Sequence, residues 1–145
     1  MLNINLDKIT DLDFKTKEAY KTLRTNVQFC GNDVKIISLT SCVPNEGKSM
    51  VSFNLAISMA ETGKKVLFID ADLRKSVLIG RHKINKAIKG LTQYLSGVEQ
   101  LDDVRYSTNV KNMDLILSGP VPPNPAELLN NEKFTELLET AGKEY

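Results

Sequence analysis

The stretch SCVPNEGKSM, residues 41–50, decides the fold. It closes on Gly47, Lys48 and Ser49, the end of the phosphate-binding pattern G-x-x-x-x-G-K-[ST], but Cys42 stands where that pattern has its first glycine. Its neighbours supply the context. VKIISLTS (34–41) is short and rich in β-branched residues, which predicts a buried parallel strand. KSMVSFNLAISMAETG (48–63) is apolar over most of its helical surface and stops at Gly63, which predicts a helix with a glycine cap. A strand that passes through such a loop into a helix presents backbone N–H groups and the positive end of the helix dipole to an anion. Gly47 lets the backbone approach phosphate closely, Lys48 can neutralise it, and the Ser49 hydroxyl can hold Mg²⁺.

A second apolar run, KVLFIDAD (65–72), ends in Asp70 and Asp72. Residues two apart on a strand share a face, and the carboxyl edge of an α/β sheet is where ligands bind. The two carboxylates can therefore meet one metal or one phosphate. One can help to hold Mg²⁺, and the other can accept a proton from an incoming hydroxyl.

Around these pieces the chain alternates. Residues 1–15 show no period and read as an N-terminal arm. TKEAYKTLRTNVQF (16–29) predicts a helix with Tyr20, Leu23 and Val27 on one face and Glu18, Lys21 and Arg24 on another. NMDLILSG (112–119) predicts a third strand, and PVPPNP (120–125) a stiff connector. A helix capped at Asn124 follows, with Pro125 in its first turn and Phe134, Leu137, Leu138 and Ala141 along one stripe. The fold class is α/β, a parallel sheet flanked by helices.

The totals set bounds. A chain of 145 residues with 41% apolar and 26% charged residues suits one soluble domain. A net charge of +1 gives no electrostatic footprint for nucleic acid. Two cysteines, Cys30 and Cys42, make no disulfide framework, and no apolar run reaches the ~20 residues of a membrane helix. The expectation is a cytoplasmic protein with at most peripheral membrane contact. Arg74, Lys75, Arg81, Lys83, Lys86 and Lys89 read as a solvated basic surface, and His82 among them as a surface histidine.

Four segments, EAYKTLRTNVQF (18–29), LTSCVPNEGKS (39–49), VLFIDADLRK (66–75) and MDLILSGPVPPNPAELL (113–129), together resemble the bacterial tyrosine kinases of capsule and exopolysaccharide operons. The last is the most specific of the four. The resemblance implies the deviant phosphate-loop NTPase fold shared with partition and septum-site ATPases. It also implies transfer of the ATP γ-phosphate, with Mg²⁺, to tyrosine hydroxyls of the kinase and its neighbours. By that likeness Pro44, Asn45, Glu46, Gly47, Lys48, Ser49 and Met50 bind the nucleotide. Lys48, Asp70 and Asp72 are catalytic, with Asp70 as base, and Ser49, Asp70 and Asp72 lie on the metal side. Glu18, Lys21 and Arg24 fall where the family carries Glu-x-x-Arg-x-x-Arg on a ring-forming helix; here the middle residue is lysine. The implied partners are a transmembrane polysaccharide co-polymerase or adaptor, further copies in a ring, and tyrosine-containing proteins. The implied place is the inner face of the cell membrane.

Departures from the pattern sharpen the expectation. Asn45 holds a position where glycine is usual, and asparagine tolerates positive φ. Met50 replaces a threonine, and Ser76 replaces a proline. In the resembled family a strand with the Walker B aspartate and a tyrosine-rich tail come after the position of Tyr145, so the expected α/β unit is incomplete at its C-terminal end. Two rivals are a non-catalytic nucleotide-binding or interaction module, and a positioning ATPase. The latter carries a lysine early in the loop, where this chain has Val43.

Overall fold

The computed structural model describes residues 2–7, 9, 11–84 and 88–145. Its sheet has four short strands, β1 (Leu2–Ile4), β2 (Val66–Ile69), β3 (Arg105–Thr108) and β4 (Met113–Ile116), in the order β1-β3-β4-β2. β2 runs parallel to β4, with Val66 opposite Met113 and Ile69 opposite Ile116. β1 also runs parallel to its neighbour β3, whereas β3 and β4 are antiparallel. That one antiparallel pairing follows from a tight connection. Asn112 turns the chain with φ 64°, and the Thr108 hydroxyl donates to the carbonyl of Met113 at 2.8 Å.

Helices cover both faces. α1 (Phe14–Phe29) and α2 (Lys48–Ala60) precede β2; α3 (Leu78–Arg81), α4 (Leu91–Leu95) and α5 (Leu101–Val104) lie between β2 and β3; α6 (Pro125–Leu129) and α7 (Glu132–Glu144) follow β4. The period of two along β4 divides the core. Met113, Leu115 and Leu117 face a cluster with Phe53, Ala56 and Ala60 of α2, while Ile116 faces Leu91, Leu95 and Leu137 of α4 and α7. β2 divides likewise: Phe68 packs against the first cluster and Ile69 against the second. Burying each such leucine or isoleucine stabilises the fold by about 2 kcal/mol relative to exposure.

Four expectations are corrected. Residues 34–41 form no strand: the sheet ends at β2, and Val34, Ile36 and Ile37 are 45%, 55% and 40% exposed. β-branched side chains favour a strand only through neighbours on the pleated surface, and this segment has no ladder to join. Residues 2–4 form the edge strand β1 rather than lying outside the sheet, and Asp13, not residue 16, marks the start of α1 by accepting from the Thr16 amide at 2.7 Å. The single helix expected from Asn124 is two. Its break falls at Asn130 and Asn131, where the Asn131 side chain caps α7 through the amide of Phe134 at 3.1 Å. His82 is buried: its Nδ1 meets the carbonyl of Asp7 at 2.9 Å, and its ring packs 4.7 Å from that of Phe53.

Candidate nucleotide site

The loop from Cys42 to Gly47 turns through two left-handed residues, Asn45 at φ 65° and Gly47 at φ 87°. Asparagine bears such a φ at modest cost, and at Gly47 the backbone alone selects glycine, since a Cβ there would meet nothing within 4 Å. Among the described residues the only other non-glycine with positive φ are Lys83 and Asn112, so Cys42 occupies a conformation open to any L-residue. The missing first glycine is therefore not required by the backbone. Gly47 is the N-cap of α2, and its carbonyl accepts the first helical bond from the Val51 amide at 2.9 Å. Ser49 follows in the first turn, half-buried, with Met50 exposed beside it.

The acids arrive at the end of β2. The amide of Asp70 donates to the carbonyl of Ile116 at 2.9 Å, extending the β2–β4 ladder and fixing where the carboxylate begins. Asp70 is 7% exposed, and burial holds its carboxyl above the usual range against the opposing pull of its hydrogen bonds. Ser76 donates its hydroxyl to Oδ2 of Asp70 in a short hydrogen bond, and the Asp72 amide donates to Oδ1 at 3.2 Å. Asp72 in turn accepts from Lys48 Nζ at 2.8 Å and from the Lys75 amide at 3.0 Å. The Lys48 hydrogen bond pulls the Asp72 carboxyl below its usual range. Lys48, Asp70 and Asp72, separate in sequence, thus meet at the carboxyl edge of the sheet. A cleft of about 400 Å³ opens alongside, lined by Leu39, Thr40, Ser41, Glu46, Lys48 and Val51.

The chemistry of this set is that of an anion site with acid groups beside it. Among the described residues no three His, Cys, Asp or Glu side chains gather to hold a metal by themselves. Two carboxylates and a hydroxyl are hard oxygen donors, the kind that bind Mg²⁺ together with phosphate oxygens and water rather than in an all-protein cage.

Glu18, Lys21 and Arg24 are not a uniform face. Glu18 and Lys21 pair at 2.7 Å, while Arg24 reaches α2 and donates to the carbonyl and hydroxyl of Ser58 at 2.6 and 3.0 Å. Of the basic stretch, Arg74, Lys75, Arg81 and Lys83 are exposed, Lys89 pairs with Glu99 at 2.9 Å, and Lys86 lies outside the described residues. Two contacts had no signal in the sequence: the Ser76 hydroxyl on Asp70, and the inward fold of Glu46, whose Oε2 accepts from the amides of Cys42 and Val43 at 2.9 and 3.3 Å.

A family model described as "AAA domain" matches residues 34–141. Tyrosine-protein kinase CpsD of Streptococcus agalactiae is 48% identical over 125 residues, 86% of this chain and 55% of that protein. Its namesake in Streptococcus pneumoniae serotype 4 is 43% identical over 129 residues, covering 89% of this chain and 57% of its own length. Among solved structures, the kinase domain of the Escherichia coli tyrosine kinase ETK superposes with a TM-score of 0.87 at 35% identity, over 100% of this chain and 57% of that one. The chain spans about half the length of the curated relatives it matches. With its Gly47-Lys48-Ser49 loop ahead of α2, its paired aspartates and its sheet flanked by helices, the chain belongs to the AAA domain family, and it is similar to the CpsD tyrosine-protein kinases and to the ETK kinase domain.

Proposed function

We propose that the chain binds MgATP in the cleft beside residues 42–50 and serves the transfer of the γ-phosphate to tyrosine hydroxyls. The observation that carries this reading is the meeting of Lys48 with Asp72 at 2.8 Å, with Asp70 buried beside them. The names of the relatives, tyrosine-protein kinases, support the choice of acceptor.

In this reading the amides of residues 44–50 and the Lys48 ammonium hold the phosphates. Lys48 leaves Asp72 to do so, which frees a carboxylate for the metal. Ser49, Asp72 and Asp70 would hold Mg²⁺, which when bound offsets the charge of the phosphates. Asp70 accepts the tyrosine proton as the new O–P bond forms and the bond to ADP breaks. Ser76 keeps the Asp70 carboxylate in one orientation. Lys21 keeps the charge of an arginine without its bidentate fork, so a ring of copies built on Glu18, Lys21 and Arg24 would be weaker than one built on arginines. A transmembrane polysaccharide co-polymerase or adaptor, at the inner face of the cell membrane, is the proposed partner. Control of capsular or exopolysaccharide synthesis is the proposed role.

A second reading, a nucleotide-binding module that transfers no phosphate, is favoured by one observation. The segment that feeds the loop, residues 34–41, joins no ladder, so the loop is anchored firmly only on its α2 side. Calorimetry with MgATP and a phosphotyrosine blot of the same samples separate the two. Binding with phosphotyrosine supports the kinase reading; binding without it supports the second; no binding contradicts both.

A further inference from the structure

We infer that Glu46 is a positioning residue of the phosphate loop: its side-chain oxygen closes the loop at the point where the usual pattern relies on glycine, while its charge works against the anion. The inference rests on the nucleotide site proposed above. Glu46 is exposed, yet its carboxylate turns back into its own loop instead of into water. One oxygen, Oε2, accepts from Cys42 at 2.9 Å and from Val43 at 3.3 Å. The two donors are four and three residues back in the chain, so the bond closes a very short loop and fixes few additional torsions. The reversal between them contains Asn45 in the left-handed region, which asparagine enters at modest cost and a local tie helps to hold. The segment before the loop has no strand ladder to supply that fixing. Glu46 does so locally.

Glu46 also lines the cleft with Lys48. A negative charge there repels an incoming phosphate and opposes the field of Lys48 and the α2 dipole. Glu46 therefore has two separable effects on nucleotide affinity. The acceptor oxygen favours binding by preorganising the loop, and the charge disfavours it. Glutamine keeps the oxygen and removes the charge; alanine removes both.

The test is calorimetric titration of the full chain with MgADP for wild type, Glu46→Gln, Glu46→Ala and Lys48→Met, with amide exchange at Cys42 and Val43 followed by NMR without nucleotide. The expected order of affinity is Gln at least equal to wild type, and alanine weaker than Gln by about fivefold, the worth of one ordinary hydrogen bond. Amide exchange at Cys42 and Val43 accelerates in Glu46→Ala and not in Glu46→Gln. Alanine binding as tightly as glutamine, or glutamine binding more weakly than wild type, overturns the inference. So does unchanged exchange in Glu46→Ala, a readout that holds even if no variant binds nucleotide. Loss of binding in Lys48→Met marks the nucleotide reading as sound. Retention there sinks that reading separately.

Discussion

Lys48 donates to Asp72 across 2.8 Å and so ties the first residue of α2 to the loop that follows β2. The lysine side chain is 31% exposed and the aspartate 25%, which places the pair between a surface and a buried ion pair. Its worth to stability is small, below about 1 kcal/mol, because solvent screens it. The same partial exposure leaves Lys48 able to exchange one anion for another.

Asp72→Ala should accordingly lower stability by no more than about 1 kcal/mol at neutral pH. The Asp72 carboxyl is held below its usual range, so its contribution is present above the unfolded-state value of about 3.9 and is lost as pH falls through the folded value. Urea denaturation of both proteins at pH 7 and pH 3 checks this. The difference between them should narrow at the lower pH.

Asp70 has the opposite sign. Burial raises its pKa, so the folded chain is favoured by its protonation, and that advantage is lost as pH rises through the folded value. Asp70→Asn should therefore raise stability at pH 7, because it removes a buried charge. The gain should shrink towards zero below the unfolded-state pKa, where wild-type Asp70 is neutral as well. Thermal melts across that range would show it.

Ser76→Ala removes the donor on a buried carboxylate oxygen and leaves it unsatisfied. The expected cost is about 1–2 kcal/mol at pH 7, with Ser76→Thr restoring most of it because the hydroxyl is kept. Equal stability of serine and alanine variants in urea denaturation would remove Ser76 from the account.

His82 joins the N-terminal strand region to α2, through the Asp7 carbonyl on one side and the Phe53 ring on the other. His82→Ala should cost about 2 kcal/mol or more as a buried ring is lost. It should also speed amide exchange in β1 before it does so in β4. A uniform change across the sheet would contradict this linkage.

Much of the site was legible because its pieces are local. Gly47-Lys48-Ser49 before an apolar helix, and Asp70 with Asp72 at the end of an apolar run, each carry their own signal in a few residues, and so does the left-handed Asn45. The less legible parts depend on distant neighbours. VKIISLTS has every property of a strand except a partner, and partners are not written in a segment's own residues. LNI at residues 2–4 is too short for a period, and it becomes β1 only because Ser107 and its neighbours in β3 lie open to it. His82 sits in a basic run that reads as surface, yet the ring turns inward to Phe53. The break at Asn130 and Asn131 falls inside the single helix expected from Asn124, because the cap of α7 is made by a side-chain contact, from Asn131 to the Phe134 amide.

The most direct test of the nucleotide site is calorimetric titration of MgATP into wild type and Lys48→Met. The two should melt within a few degrees of each other, since the Lys48–Asp72 pair is worth less than about 1 kcal/mol. The site as described predicts saturable binding to wild type and a loss of at least tenfold in the methionine variant, where the ammonium bonded to Asp72 is gone. Equal affinity in the two proteins would contradict it.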